Sequence, residues 1–173
     1  TLFRSFLAMG AAANLINPLM NKDVLEAMTT HVVSTLHTIA STTVTAGRPF
    51  VCKDRKAIRG QVAGVIALKT PPLVGAILLV FPELVIFKVI ENMLAEKHSV
   101  INSDVTDAVG ELTNQIYGSA KTSLNQIGYS LDMAIPTVLL NQKWTELGNQ
   151  KATLVIPFKL GSEGEMFLEI HVD

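Results

Sequence analysis

The chain has 173 residues, of which 49% are hydrophobic and 17% are charged, a composition typical of one globular domain with a large apolar core. Its formal net charge of −1 gives no electrostatic reason to expect nucleic acid or an anionic membrane surface as a partner. Cys52 is the only cysteine, which excludes a disulfide within this chain and fits a reducing, cytoplasmic location.

Residues 1–19 contain Arg4 ahead of an apolar run, which resembles a signal peptide but is weakly charged. We interpret them as an N-terminal extension or a remnant of an expression vector. The domain is therefore predicted to span residues 20–173.

Residues 73–90 are nearly all apolar, yet they include Pro82, Glu83 and Lys88. A charge at the centre of a bilayer is costly, so this segment is not read as a membrane span. We predict a buried strand over 73–80, followed by a helix that starts at Pro82 and runs to about Lys97.

Long helices and groups of strands alternate along the rest of the chain. Asn21 or Asp23 is expected to cap a first helix that runs to about Ser41. Extended segments are predicted over residues 42–52, 61–68, 131–140, 153–160 and 165–172. Pro136 lies near the middle of the 131–140 segment, which indicates an edge strand or a bulge there.

The stretch from Asn102 to Gly128 predicts one long helix, with Ser103 or Asp104 as N-cap and Gly128 as its C-terminal stop. Its apolar residues repeat at spacings of three and four, which indicates one buried stripe. The stripe consists of Val105, Val109, Leu112, Ile116 and Ala120.

A second face of this helix carries Asp107, Glu111, Asn114 and Gly118. Glycine inside a helix costs about 1 kcal/mol relative to alanine, and Gly110 and Gly118 are both interior. One explanation is that they admit a neighbouring helix of the same molecule while Glu111 is merely solvated. The other is that they let another protein's backbone approach Glu111 and Asn114.

A helix followed by three extended segments occurs twice, once over residues 24–80 and once over 104–172. This weak repeat predicts an α+β fold made of two duplicated units, with an antiparallel sheet packed by long helices.

The spacing Asp107-x-x-x-Glu111-x-x-Asn114, followed by Pro136, resembles the signature of the CheC/CheX family of chemotaxis phosphatases. Gly110, Gly118 and the run Ile135-Pro136-Thr137-Val138 extend the resemblance, although Pro136 comes one residue earlier than the family pattern. The family fold is likewise a duplicated helix-plus-strands unit. The first helix has no asparagine three residues after Glu26, so the chain resembles the single-site CheX-like branch.

The resemblance implies an enzyme of two-component signalling that dephosphorylates the phospho-aspartate of a CheY-like response regulator. Asn114 would hold the attacking water, and Glu111 would pair with a lysine of the receiver domain. Asp107 would support the helix end or the interface, Gly110 and Gly118 would allow close approach, and Pro136 would be structural. The catalytic Mg²⁺ would belong to the receiver, and the protein would act as a cytoplasmic homodimer.

Two other functions remain open from the sequence. One is a binding module that uses the same face on phosphorylated receivers without accelerating hydrolysis. The other is a structural or scaffolding domain whose Glu111 and Asn114 are only solvated. The four histidines have no metal-ligand spacing, and the signature face lacks a carboxylate cluster suited to Mg²⁺. We therefore expect the protein to bind no metal of its own.

Overall fold

The computed structural model describes residues 21–54, 58–70, 73–146 and 153–172. The extension expected over residues 1–19 lies outside the described residues. In chain order the described elements are α1 (Lys22–Ala40), β1 (Thr45–Ala46), β2 (Phe50–Cys52), β3 (Val62–Thr70), β4 (Leu73–Phe81), α2 (Glu83–Leu94), α3 (Ser103–Gln126), β5 (Thr137–Leu140), a 3-10 helix (Lys143–Glu146), β6 (Thr153–Leu160) and β7 (Gly164–Val172).

The strands form one antiparallel sheet in the order β1-β6-β7-β4-β3-β5, with β2 also paired to β6. Strands β4 and β7 are central, and each belongs to a different repeat unit. The first strands of each unit lie beside the hairpin of the other unit, β1 and β2 against β6 and β5 against β3. The α+β fold predicted from the sequence is therefore confirmed, and its two units interlock.

Both faces of the sheet are covered, which explains why β3 and β4 are apolar on both sides. The helices cover one face, where residues such as Ile66, Leu79 and Val109 share the main core. On the opposite face Trp144, completely buried, packs with Val65 and other residues of the sheet.

Strand β7 shows the limits of its alternating sequence pattern. Met166, Leu168 and Ile170 face the main core, as the alternation predicts. Glu169, expected on a mixed face, is fully buried, and its Oε2 lies 2.8 Å from His171 Nε2. Alternation predicts which face a residue occupies, but not whether a loop of the same chain covers that face.

Two predicted helix ends were wrong. Asn102, rather than Ser103 or Asp104, is the N-cap of α3, because its Oδ1 accepts a hydrogen bond from Val105 N at 3.1 Å. Helix α2 ends at Leu94 instead of about Lys97, with Ala95 in the left-handed conformation. At the other end of α3, Gly128 adopts a φ of 100°, as expected of a glycine that ends a helix.

The strand predicted over residues 131–140 is also shorter than expected. Residues 131–136 are irregular, and β5 begins at Thr137, immediately after Pro136. Proline has no N–H for the ladder, so pairing with β3 starts only beyond it.

Residues 73–90 form β4 followed by the start of α2, as predicted. Across the described ranges, no helix has the length and hydropathy needed to cross a membrane.

Candidate functional site

Helix α3 presents Asp107, Glu111 and Asn114 to solvent, with Gly118 half-buried one turn further on. The opposite side of the helix holds the predicted stripe, and all five of its residues are completely buried. Burial of this stripe fixes the rotation of the helix, so the direction of the polar face is fixed as well.

Glu111 is held by a neighbour on its own helix. Gln115 Nε2 donates a hydrogen bond of 2.7 Å to Glu111 Oε1. In the described part of the chain, no cation lies within ion-pair distance of this carboxylate. The carboxylate of Glu111 is therefore oriented along the helix, and its negative charge is available to a cation of another molecule. The sequence analysis did not identify Gln115, although its i,i+4 spacing from Glu111 is the signal for such a bond.

Asn114 lies one turn beyond Glu111 and is exposed. Its side chain makes no hydrogen bond to any described residue of the chain. An amide can donate and accept a hydrogen bond at the same time without titrating. Both functions of this amide are therefore available to a water molecule or to a partner.

Asp107 is in the second turn of α3, whereas Asn102 and Asp104 occupy the N-terminal end. Its carboxylate has no hydrogen bond or ion pair to the described residues. Asp107 is therefore exposed beyond the first turn of α3.

Gly64 sets how closely α3 lies on the sheet, and Gly110 of α3 faces the same part of the sheet. A Cβ built at Gly64 of β3 would overlap Thr113 of α3, so the absence of a side chain there admits Thr113. A Cβ at Gly110 of α3 would lie 3.6 Å from Val138 Cγ2 of β5. Gly64 and Val138 are cross-strand partners, so small and large residues alternate across this contact. The Cβ position of Gly110 thus faces its own sheet.

Gly118 differs from Gly110, because nothing lies within 4 Å of a Cβ built at its position. No contact with the described residues explains a glycine there. Pro136 is half-buried and ends the irregular segment that precedes β5.

That irregular segment is attached to α3 by side chains that the sequence analysis did not identify. Asn125 Oδ1 accepts from Leu131 N at 2.8 Å, and its Nδ2 donates to Leu131 O at 3.1 Å. Tyr117 Oη donates to Asp132 O at 2.7 Å. Burial, and to a lesser extent the Asp132 carboxylate, raise the pKa of Tyr117 to about 12, so the phenol stays a neutral donor.

Of the histidines in α1, His31 has a structural role. His31 Nε2 lies 2.8 Å from Ser123 Oγ and so connects α1 to α3. Burial lowers the pKa of His31. Within the described residues, no group of three or more His, Cys, Asp or Glu side chains is arranged to hold a metal ion.

Comparison with known proteins identifies the family to which the chain belongs. The family model described as Chemotaxis phosphatase CheX matches residues 62–159, which is more than half of the chain and includes all of α3. The chain belongs to the CheX family. The resemblance seen in the sequence is thereby confirmed.

Solved structures of CheX-like proteins share the fold over nearly their whole length. A CheC-like superfamily protein from Shewanella sp. PV-4 is 32% identical, with a TM-score of 0.77, over 88% of this chain and 98% of that one. The chemotaxis protein CheX from Vibrio vulnificus is 29% identical, with a TM-score of 0.75, over 85% and 97%.

A third structure is a complex of CheX with CheY, BeF3 and Mg²⁺ from Borrelia burgdorferi. At 19% identity and a TM-score of 0.69, over 85% of this chain and 96% of that one, it shows the shared fold. A comparison with curated proteins found no match to the chain.

Proposed function

We propose that this CheX family member removes the phosphoryl group from the aspartate of a CheY-like receiver domain. The observation that carries the proposal is that Glu111 and Asn114 lie on one solvent-facing side of α3, with Glu111 in no ion pair to the described residues. Family membership supports the same conclusion. Loss of phosphate from a panel of phosphorylated receivers, followed with and without the protein, tests it directly. A receiver that binds without faster hydrolysis would indicate the binding module instead.

Asn114 enters the receiver's active site and holds a water molecule in line with phosphorus. Phosphoryl transfer needs little covalent chemistry from the protein, so positioning supplies much of the acceleration. The amide accepts from the water or donates to it and does not have to take its proton. A water-orienting role therefore suits asparagine better than general base catalysis.

Glu111 pairs with the lysine of the receiver's active site and so docks α3 in register. The hydrogen bond from Gln115 limits the rotamers of Glu111 before binding, which reduces the entropy lost on docking. Asp107, one turn earlier, adds negative charge at the edge of the same interface. The region from residue 20 to 173 acts as one phosphatase domain, works as a homodimer, and meets its receiver in the cytoplasm.

Hydrolysis is expected to require Mg²⁺ although the described residues include no group arranged to hold a metal ion. The ion belongs to the receiver, where it neutralises charge on the phosphoryl oxygens. With a phosphorylated receiver, EDTA should abolish turnover and Mg²⁺ should restore it. The protein alone should neither bind Mg²⁺ tightly in a calorimeter nor hydrolyse p-nitrophenyl phosphate. Stoichiometric binding together with turnover of that ester would identify a self-contained metallophosphatase.

Replacing Gly118 tests whether this face accommodates another backbone. Gly118→Ala meets no atom within 4 Å and should stabilise α3 by about 1 kcal/mol, measured by urea denaturation. If the receiver approaches Gly118 closely, the same variant should raise KM for the phosphorylated receiver. Gly110→Ala is the matched control, since its methyl group would contact Val138 of the same molecule. A stabilised Gly118→Ala enzyme with wild-type KM would contradict close approach at this position.

A further inference from the structure

Lys121 places a positive charge on the polar face of α3, toward the C-terminal end of the helix. It follows Asn114 by seven residues, so at about 100° per residue it lies only about 20° from Asn114 around the helix axis. Lys121 is half-buried, and Gly118 occupies the intervening turn with nothing within 4 Å of its Cβ position. A partner that covers Asn114 can therefore extend along the helix to Lys121.

The ammonium group of Lys121 is in no ion pair with the part of the chain that the structure describes. The lysines of the other two long helices differ in this respect. In α1, Lys22 Nζ lies 3.4 Å from Glu26 Oε1. In α2, Lys88 Nζ lies 3.2 Å from Glu91 Oε2. No acidic residue occurs three or four positions from Lys121 in α3, so its charge is available to an anion of another molecule.

The dipole of the helix does not account for this lysine. A cation near the C-terminus of a helix is stabilised by the dipole, but the effect falls off within the last turn. Lys121 comes five residues before Gln126, where α3 ends, and the last turn contains no basic residue. Glu111 is likewise more than one turn from the start of α3 at Ser103. A partner that covers the face between Glu111 and Lys121 explains both charges.

We propose that Lys121 pairs with an acidic side chain of the receiver and, together with Glu111, determines which way the receiver lies along α3. The inference rests on the proposed function, in which the receiver covers Glu111 and Asn114. At a rise of 1.5 Å per residue, Lys121 lies about 15 Å from Glu111 along the helix, with Asn114 between them. A fitting receiver therefore presents a lysine and a carboxylate on opposite sides of its phosphoryl group. The reverse orientation would bring like charges together at both ends.

The test measures calorimetric Kd for a receiver that carries beryllofluoride and Mg²⁺. Lys121→Glu should raise Kd about 10-fold or more, whereas Lys121→Met keeps the apolar stem without the charge and should raise Kd less. Lys121→Arg keeps the charge and should bind like the wild type. KM for the phosphorylated receiver should rise with Kd while kcat changes little, because Lys121 lies two turns from Asn114. Melting curves should show that the variants are folded.

Lys69→Glu is the matched control, because it makes the same change in net charge on the sheet face opposite the helices. Lys69 is exposed and lies four residues from Val65 in β3, and Val65 belongs to the core on that face. Lys69→Glu should therefore leave Kd close to that of the wild type. The difference between Lys121→Met and the wild type should also decrease at high salt, where charges at the edge of an interface are screened.

Receiver variants in which surface carboxylates are changed one at a time to lysine identify the partner of Lys121. One of them should bind Lys121→Glu more tightly than it binds the wild type. If the wild type binds and is active, unchanged Kd in Lys121→Glu would contradict this contact alone. An equal loss in Lys121→Glu and Lys69→Glu would also contradict it, as would rescue by none of the receiver variants. A wild type that binds no receiver would contradict the proposed function and this contact together.

Discussion

Asn114→Ala should lower kcat for the phosphorylated receiver by about 10²–10³-fold and leave KM nearly unchanged. The amide is proposed to act on the attacking water, so its loss affects the transition state more than the docked complex. Because Asn114 is exposed and makes no hydrogen bond to the described residues, its removal should not disturb the fold. Alanine is the better helix former, and the variant should be more stable by about 0.5 kcal/mol.

Single-turnover loss of phosphate, measured at saturating enzyme, reports this step apart from binding. Asn114→Asp has the same size but replaces the donor with a carboxylate that repels the phosphoryl group, so it should also be slow. Gln126→Ala is the matched control, since it removes an exposed amide near the far end of the same helix. A folded Asn114→Ala enzyme that works at the wild-type rate would exclude Asn114 from the chemistry.

An Asn114→Ala variant that is more stable but less active than the wild type would also explain the composition of α3. Its polar face carries an asparagine and a glycine where alanine would stabilise the helix. Functional sites commonly retain residues that are unfavourable for local structure. Of the two interior glycines, Gly110 lies opposite Val138 of the same molecule at an ordinary contact distance, whereas nothing lies within 4 Å of a Cβ built at Gly118.

Local periodicity predicted α3 well, because its buried stripe depends only on residues three and four positions apart. Cap residues were harder to assign, since Asn102, Ser103 and Asp104 are all good N-caps and only one has the required backbone geometry. The prediction of a strand before Pro136 was wrong. β-Branched and apolar residues favour an extended segment, but pairing also requires a partner strand. The residues that precede Thr137 are not paired with β3.

Other features depend on contacts between distant parts of the chain and had no sequence signal. The fit of Thr113 against Gly64 joins residues 49 positions apart, so no local pattern reveals it. Nothing in the sequence indicates that the Tyr117 hydroxyl donates to the Asp132 carbonyl. The face containing Glu111 and Asn114 was predictable because helical spacing alone brings those residues together.

Glu111→Lys should weaken binding of the beryllofluoride-activated receiver by about 100-fold or more and abolish measurable turnover. The substitution replaces attraction to the receiver lysine with repulsion between two cations. It also removes the acceptor of the Gln115 hydrogen bond, so the new side chain is less ordered on the helix. Glu111→Gln keeps the size and an acceptor oxygen but removes the charge, and should weaken binding less.

Charge reversal on both partners distinguishes a specific pair from general repulsion. If Glu111 meets the receiver lysine, a receiver with glutamate at that lysine should bind Glu111→Lys more tightly than it binds the wild type. Turnover need not return, because the receiver lysine has its own role at the phosphoryl group. Asp107→Lys makes the same change in net charge one turn away and should not be rescued by that receiver. Wild-type affinity in Glu111→Lys would show that Glu111 is not the docking residue, and so would equal rescue of both lysine variants. Rescue of Glu111→Lys alone would establish the contact that orients α3 over the phosphoryl group.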